Sequence, residues 1–102
     1  MDMNQIMQQA RMMEAQLKVA QEKLPDITVT ASAGGGAVKV TASADMQVTD
    51  IKIAPEAVDP EDVDMLQDML LAAVNDALKE AGEAANRQLG AATGGLNIPG
   101  LF

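Results

Sequence analysis

The chain contains no cysteine, no histidine, no tryptophan and no tyrosine, and Phe102 is its one aromatic residue. Without cysteine there is no disulfide framework. Without cysteine or histidine the common ligands for zinc and other transition metals are missing. The imidazole general base and the thiolate nucleophile go with them. An active site would have to be built from Asp, Glu, Lys and Ser, so the inventory argues against an enzyme, and no cofactor or metal is expected. Long hydrophobic runs are absent too, since no stretch approaches the roughly 18 apolar residues that span a bilayer. The start, Met1-Asp2-Met3-Asn4-Gln5, has neither the basic region nor the apolar block of a signal peptide. The expectation is a soluble cytoplasmic protein with no membrane partner.

Positive charge is scarce. Seven Lys and Arg stand against 15 Asp and Glu, for a net charge of −8. The imbalance is uneven along the chain. Residues 1–24 set Arg11, Lys18 and Lys23 against Asp2, Glu14 and Glu22 and come out neutral. Beyond residue 53 only Lys79 and Arg87 oppose a run of acids from Glu56 to Glu83. A uniformly acidic chain would be repelled by a polyanion; the first segment is where that objection weakens.

What is present is pattern. Apolar residues fall at Met3, Ile6, Ala10, Met13, Leu17, Ala20 and Leu24, in alternating steps of three and four, which predicts a helix with a heptad seam. Pro25 ends it. At 1.5 Å per residue this helix is about 30 Å long, more than a small sheet of roughly 17–20 Å strands can cover. Part of it must project or pair with another helix, either the chain's own or that of a second copy. Met7 and Met12 lie off the seam and read as an exposed apolar patch suited to adaptable contacts.

Strict alternation then takes over. Ile27, Val29, Ala31 and Ala33 share one phase, as do Val38, Val40 and Ala42, and Gly34-Gly35-Gly36 separates the two runs. This predicts a hairpin. The glycines are not a phosphate loop, because Ala37-Val38-Lys39 follows instead of a Gly-Lys-Ser/Thr ending, and no helix opens there. A second turn at Ala44-Asp45-Met46 leads to Gln47–Ile53. In that run Val48 is out of phase with Ile51 and Ile53, pointing to a bulge near Asp50 or a late strand start. Asp59-Pro60-Glu61-Asp62 reads as a helix start, with Asp59 as cap and Pro60 first in the helix. A stripe from Val63 to Ala81 follows, and Gly90 is the expected stop. The acids Asp59, Glu61, Asp62, Asp64 and Asp68 lack EF-hand spacing and read as a solvated helix face. The ending is apolar yet rich in Gly and Pro. Leu96, Ile98, Leu101 and Phe102 are expected to dock on the protein's own surface or on a protein partner.

Arg11 and Lys18, seven residues apart, share one face of the first helix, next to its seam on this reading. Lys23 lies near the same end, and Asn4, Gln5, Gln8, Gln9 and Gln16 add uncharged donors for phosphate oxygens.

Several stretches resemble one family. They are the helix end Gln21-Glu22-Lys23-Leu24, the run Thr30–Val40 around the glycines and the element Ile51-Lys52-Ile53-Ala54-Pro55-Glu56. They continue with the run Asp64–Leu78 and the ending Gly94-Gly95-Leu96-Asn97-Ile98-Pro99-Gly100-Leu101-Phe102. Taken in order, they closely resemble the YbaB/EbfC family of nucleoid-associated proteins. The resemblance implies a homodimer whose helices project like tweezers, binding of bacterial chromosomal DNA with effects on its conformation and on gene expression, and no catalytic site. It places DNA contacts on the projecting helices.

The combined expectation is one α+β domain over residues 1–102. A helical arm (1–24) is followed by a three-stranded antiparallel meander (26–54), a long helix (59–90) and an apolar tail (91–102), the whole forming a tweezer-like homodimer. Its function would be sequence-tolerant binding of double-stranded DNA in the nucleoid. Arg11, Lys18 and Lys23 would be phosphate contacts, with Lys79 and Arg87 as secondary ones. The competing functions are a prefoldin-like holdase using the Met-rich arm, and an adaptor binding a basic protein through the acidic helix and the tail.

Overall fold

A computed structural model describes residues 2–92, and the expectations for the tail, with Leu96, Ile98, Leu101 and Phe102, lie outside them. The elements are α1 (Met3–Lys23), β1 (Thr28–Ala33), β2 (Val38–Ser43), β3 (Gln47–Ile53) and α2 (Val63–Ala92). The molecule is elongated, 70 × 24 × 15 Å. Among the described residues no helix is long and apolar enough to cross a membrane.

Helix α1 starts where Asp2, in extended conformation, accepts a hydrogen bond from the Asn4 amide (3.4 Å). It ends as Pro25 turns the chain through a short 3-10 segment, Leu24–Asp26. The strands form an antiparallel meander in the order β1-β2-β3. The hairpin joins Ala33 to Val38, which face each other across the first strand pair. Gly34, Gly35 and Gly36 all have positive φ (63°, 67° and 93°), a region closed to most side chains, so the triplet is required by the backbone it adopts. A Cβ on Gly34 would also run into Met69 of α2, whereas one on Gly35 would meet nothing within 4 Å.

The second strand pair shifts register between Thr41 and Ala42. Thr41 faces Asp50, yet Ala42 faces Val48, which leaves Thr49 as the extra residue of a bulge. This resolves the phase problem in the sequence. The bulge returns Val48 to the face that carries Ile51 and Ile53, opposite Ala42, Val40 and Val38.

Helix α2 lies on that face. Ala73, Ala77 and Ala81 are completely buried against Val38, Val40 and Ala42, which are equally buried. Alanine every fourth residue puts a smooth, narrow ridge on the helix, so its backbone comes close to the sheet. The result is a thin core, in which the largest fully buried side chains are Val38 and Val40. The helix covers β1 and β2 and contacts β3 little. On the same face of the sheet, Val48 and Ile51 remain 40% and 46% exposed. In the turn before β3, Met46 takes a left-handed φ of 67° and reaches toward α2 at Gly82.

The start of α2 differs from expectation. Asp59 and Pro60 are not its cap and first residue. The Asp59 carboxylate accepts from the Glu61 amide (3.0 Å) and its carbonyl from the Asp62 amide (3.0 Å), closing a separate turn. The cap is Asp62, whose carboxylate accepts from the amide of Met65, the third helical residue (3.3 Å). At the other end the helix runs through Gly90 to Ala92. One glycine costs a helix only about 1 kcal/mol relative to alanine, too little to stop it unaided.

The two glycines separate backbone strain from steric conflict. Gly35→Ala is expected to cost about 1 kcal/mol from the left-handed backbone alone. Gly34→Ala should cost more, because Met69 must also move, and a double-mutant cycle with Met69→Ala in urea melts should show the excess as coupling. Ala77→Leu should lower stability by about 1–3 kcal/mol through overpacking of the helix–sheet contact, read as a fall in the urea midpoint.

Candidate nucleic-acid interface

Helix α1 packs on α2 only toward its C-terminal end. Ala20 is buried and Met13 and Leu17 are half-buried, whereas residues 2–12 are all exposed. An open groove of about 530 Å³ between the helices has Ala15, Gln16, Val19 and Lys23 on the α1 side, with Gln88, Ala91 and Ala92 opposite. The last described turn of α2 therefore ends beside Ala15 and Gln16. The first three turns of α1, with Met3 72% and Ile6 46% exposed, carry their half of the seam past it.

Arg11, Lys18, Lys23, Lys79 and Arg87 are all exposed. None makes an ion pair with another described residue. At 100° per residue, Arg11 and Lys18 lie within about 20° of each other and about 10 Å apart along α1. They are turned roughly 120° from the centre of the seam, so they point away from it, which corrects the expectation that they lie beside it. The half-buried Met13 and Leu17 and the buried Ala20 mark the side that meets α2, which leaves these two cations on the solvent side. Asn4 and Gln8 continue the same stripe toward the tip, so donors at positions 4, 8, 11 and 18 extend over about 21 Å. Glu14 and Glu22 share the stripe, spaced three or four residues from Arg11 and Lys18. Lys23 is separate, on the groove flank near Gln88.

The cations of α2 sit in a more acidic setting. Lys79 lies three residues after Asp76 and four before Glu83, and Arg87 lies four after Glu83. The structure thus brings Arg11 and Lys18 together and leaves Lys23, Lys79 and Arg87 apart from them. It also brings together two cations that the sequence pattern does not single out, Lys39 and Lys52, which are directly opposed across β2 and β3. Their strand phases are legible in the sequence, but their pairing depends on the bulge at Thr49. Among the described residues no group of acids is arranged to hold a metal ion.

The comparisons with known proteins agree with one another. Residues 1–96 match the model of the YbaB/EbfC DNA-binding family. A nucleoid-associated protein of Desulforamulus reducens is 52% identical over 101 residues, covering 99% of this chain and 96% of the relative. One from Pelotomaculum thermopropionicum is 50% identical with the same coverage. The crystal structure of an uncharacterized protein from Helicobacter pylori superposes with a TM-score of 0.73 at 28% identity, over 85% of this chain and 91% of that one. The long helices on a three-stranded meander are thus shared with a solved structure, and the sequence match runs nearly end to end: the chain belongs to the YbaB/EbfC DNA-binding family.

Proposed function

We propose that the protein binds double-stranded DNA in the bacterial nucleoid as a homodimer, with little sequence preference, and alters the conformation of the DNA it holds. The observation that carries this reading is the projecting half of α1. It is an exposed helical arm with amide and cationic donors on one stripe and an unmet apolar seam on the other side. The stripe supplies contacts to the phosphate backbone, which position a protein without reading bases. The seam at Met3 and Ile6, with the open strip at Val48 and Ile51, supplies apolar surface for a second copy. A core this thin gains from such association. Nucleoid association comes from the named relatives at about 50% identity. That family assignment favours DNA over a prefoldin-like holdase, and the exposed methionines are accounted for by the arm.

The net charge of −8 does not defeat this reading, because distance matters. The acids from Asp59 to Asp68 sit at the far end of α2, about 36 Å or more from the level of Ala15. At 0.1 M salt the screening length is about 10 Å, so the arm barely feels them. The opposing charges that matter are Glu14 and Glu22 on the stripe itself. Arg11 and Lys18 are the primary phosphate contacts in this scheme, with Lys23, Lys79 and Arg87 secondary.

Arg11→Glu with Lys18→Glu should abolish a duplex gel shift at about 50 mM salt. Sedimentation should still give the parent's oligomeric state, and an unchanged shift would remove these residues from the interface. The reverse change, Glu14→Gln with Glu22→Gln, should tighten binding and steepen its salt dependence, measured by fluorescence anisotropy on a labelled duplex.

A further inference from the structure

We propose that the face of the sheet turned away from α2, centred on Lys39 and Lys52, is a second contact surface for the DNA phosphate backbone. The inference rests on the DNA-binding reading above but concerns a different part of the molecule from the helical arm. Strand phase defines the face. Val38, Val40 and Ala42 point to α2, so Lys39 and Thr41 point away, together with their cross-strand partners. Two rows result, Ser32–Lys39–Lys52 and Thr30–Thr41–Asp50. The Thr30 and Thr41 hydroxyls lie 3.0 Å apart, which places them on one side of the sheet. With neighbouring strands about 4.8 Å apart, the first row is a strip roughly 10 Å wide.

Lys39 and Lys52 are exposed, and neither has an ion-pair partner among the described residues. No acid stands between them, unlike the cations that follow one another along the helices. Glu14 stands between Arg11 and Lys18, Glu22 between Lys18 and Lys23, and Glu80 and Glu83 between Lys79 and Arg87. Like charges directly opposed across two strands destabilise a sheet. A phosphate lodged between them turns that repulsion into attraction, and the hydroxyls of Ser32 and Thr30 add donors beside it. Charge complementarity selects the occupant. In a chain of net charge −8, this local excess of positive charge fits a polyanion. Asp50, two residues from Lys52 on the same face, is the acid that limits its strength.

The test uses the full chain and two duplexes of unrelated sequence, with binding followed by anisotropy from about 50 to 200 mM salt. Lys39→Gln with Lys52→Gln should weaken binding equally on both duplexes. It should also flatten the slope of log K against log salt by about 2 for the homodimer, since one phosphate lodges at the lysine pair of each protomer and each neutralised phosphate contributes close to one. Asp50→Asn should tighten binding. Lys52→Glu sets a carboxylate opposite Lys39, so it should weaken binding to the same degree while raising the melting temperature, which excludes misfolding as the cause. Parent-like affinity and slope in the double glutamine variant would overturn the proposal. If that result accompanied loss of binding by the Arg11→Glu, Lys18→Glu variant, the arm alone would carry the function. A parent chain that retains neither duplex at 50 mM salt would overturn both readings.

Discussion

Alanine at every fourth position of α2 is the constraint on which the rest depends. Because Ala73, Ala77 and Ala81 project so little, the helix sits directly on Val38 and Val40, and its axis is fixed over β1 and β2. Larger side chains there would lift the helix and let it spread toward β3. As built, β3 keeps an open apolar strip on one side, and the opposite side of the sheet carries no helix among the described residues. The close approach also limits how much apolar surface one copy can bury. The monomer is therefore a small core with long extensions, the kind of fold that gains most from association.

The same placement separates charges of opposite effect. The acidic start of α2 is held at the end remote from the arm, several screening lengths away at ordinary salt. The balanced first helix projects from the other end. Net charge is a poor guide for such a molecule, since a surface reacts to the charges within about 10 Å of it. Local balance on α1 and local excess at Lys39 and Lys52 say more about a polyanion than the sum over the chain.

Much of this is legible in the residues. The heptad steps specify α1, the alternation specifies the strands, and the glycine triplet specifies the hairpin with its left-handed backbone. Val48 being out of phase points to a bulge, because a strand with one buried face has to repair its phase somewhere. The α2 cap is not legible, for a physical reason. Asp59 and Asp62 are both acidic residues ahead of an apolar stripe, and which one reaches a helical amide depends on how the intervening turn closes. The candidate site is less legible still. The heptad spacing itself turns Arg11 and Lys18 away from the seam, but that only the C-terminal half of this seam meets α2, leaving residues 2–12 exposed, is set by packing.

Sequence by itself determined the elements, their order, the hairpin and the family, because these follow from short-range periodicity and from residues with narrow backbone preferences. Tertiary structure alone decided how far α1 outruns its partner, which strand is left uncovered, and that Lys39 faces Lys52. Those facts depend on register and helix placement, which are set by contacts between residues far apart in the chain. No local pattern encodes them.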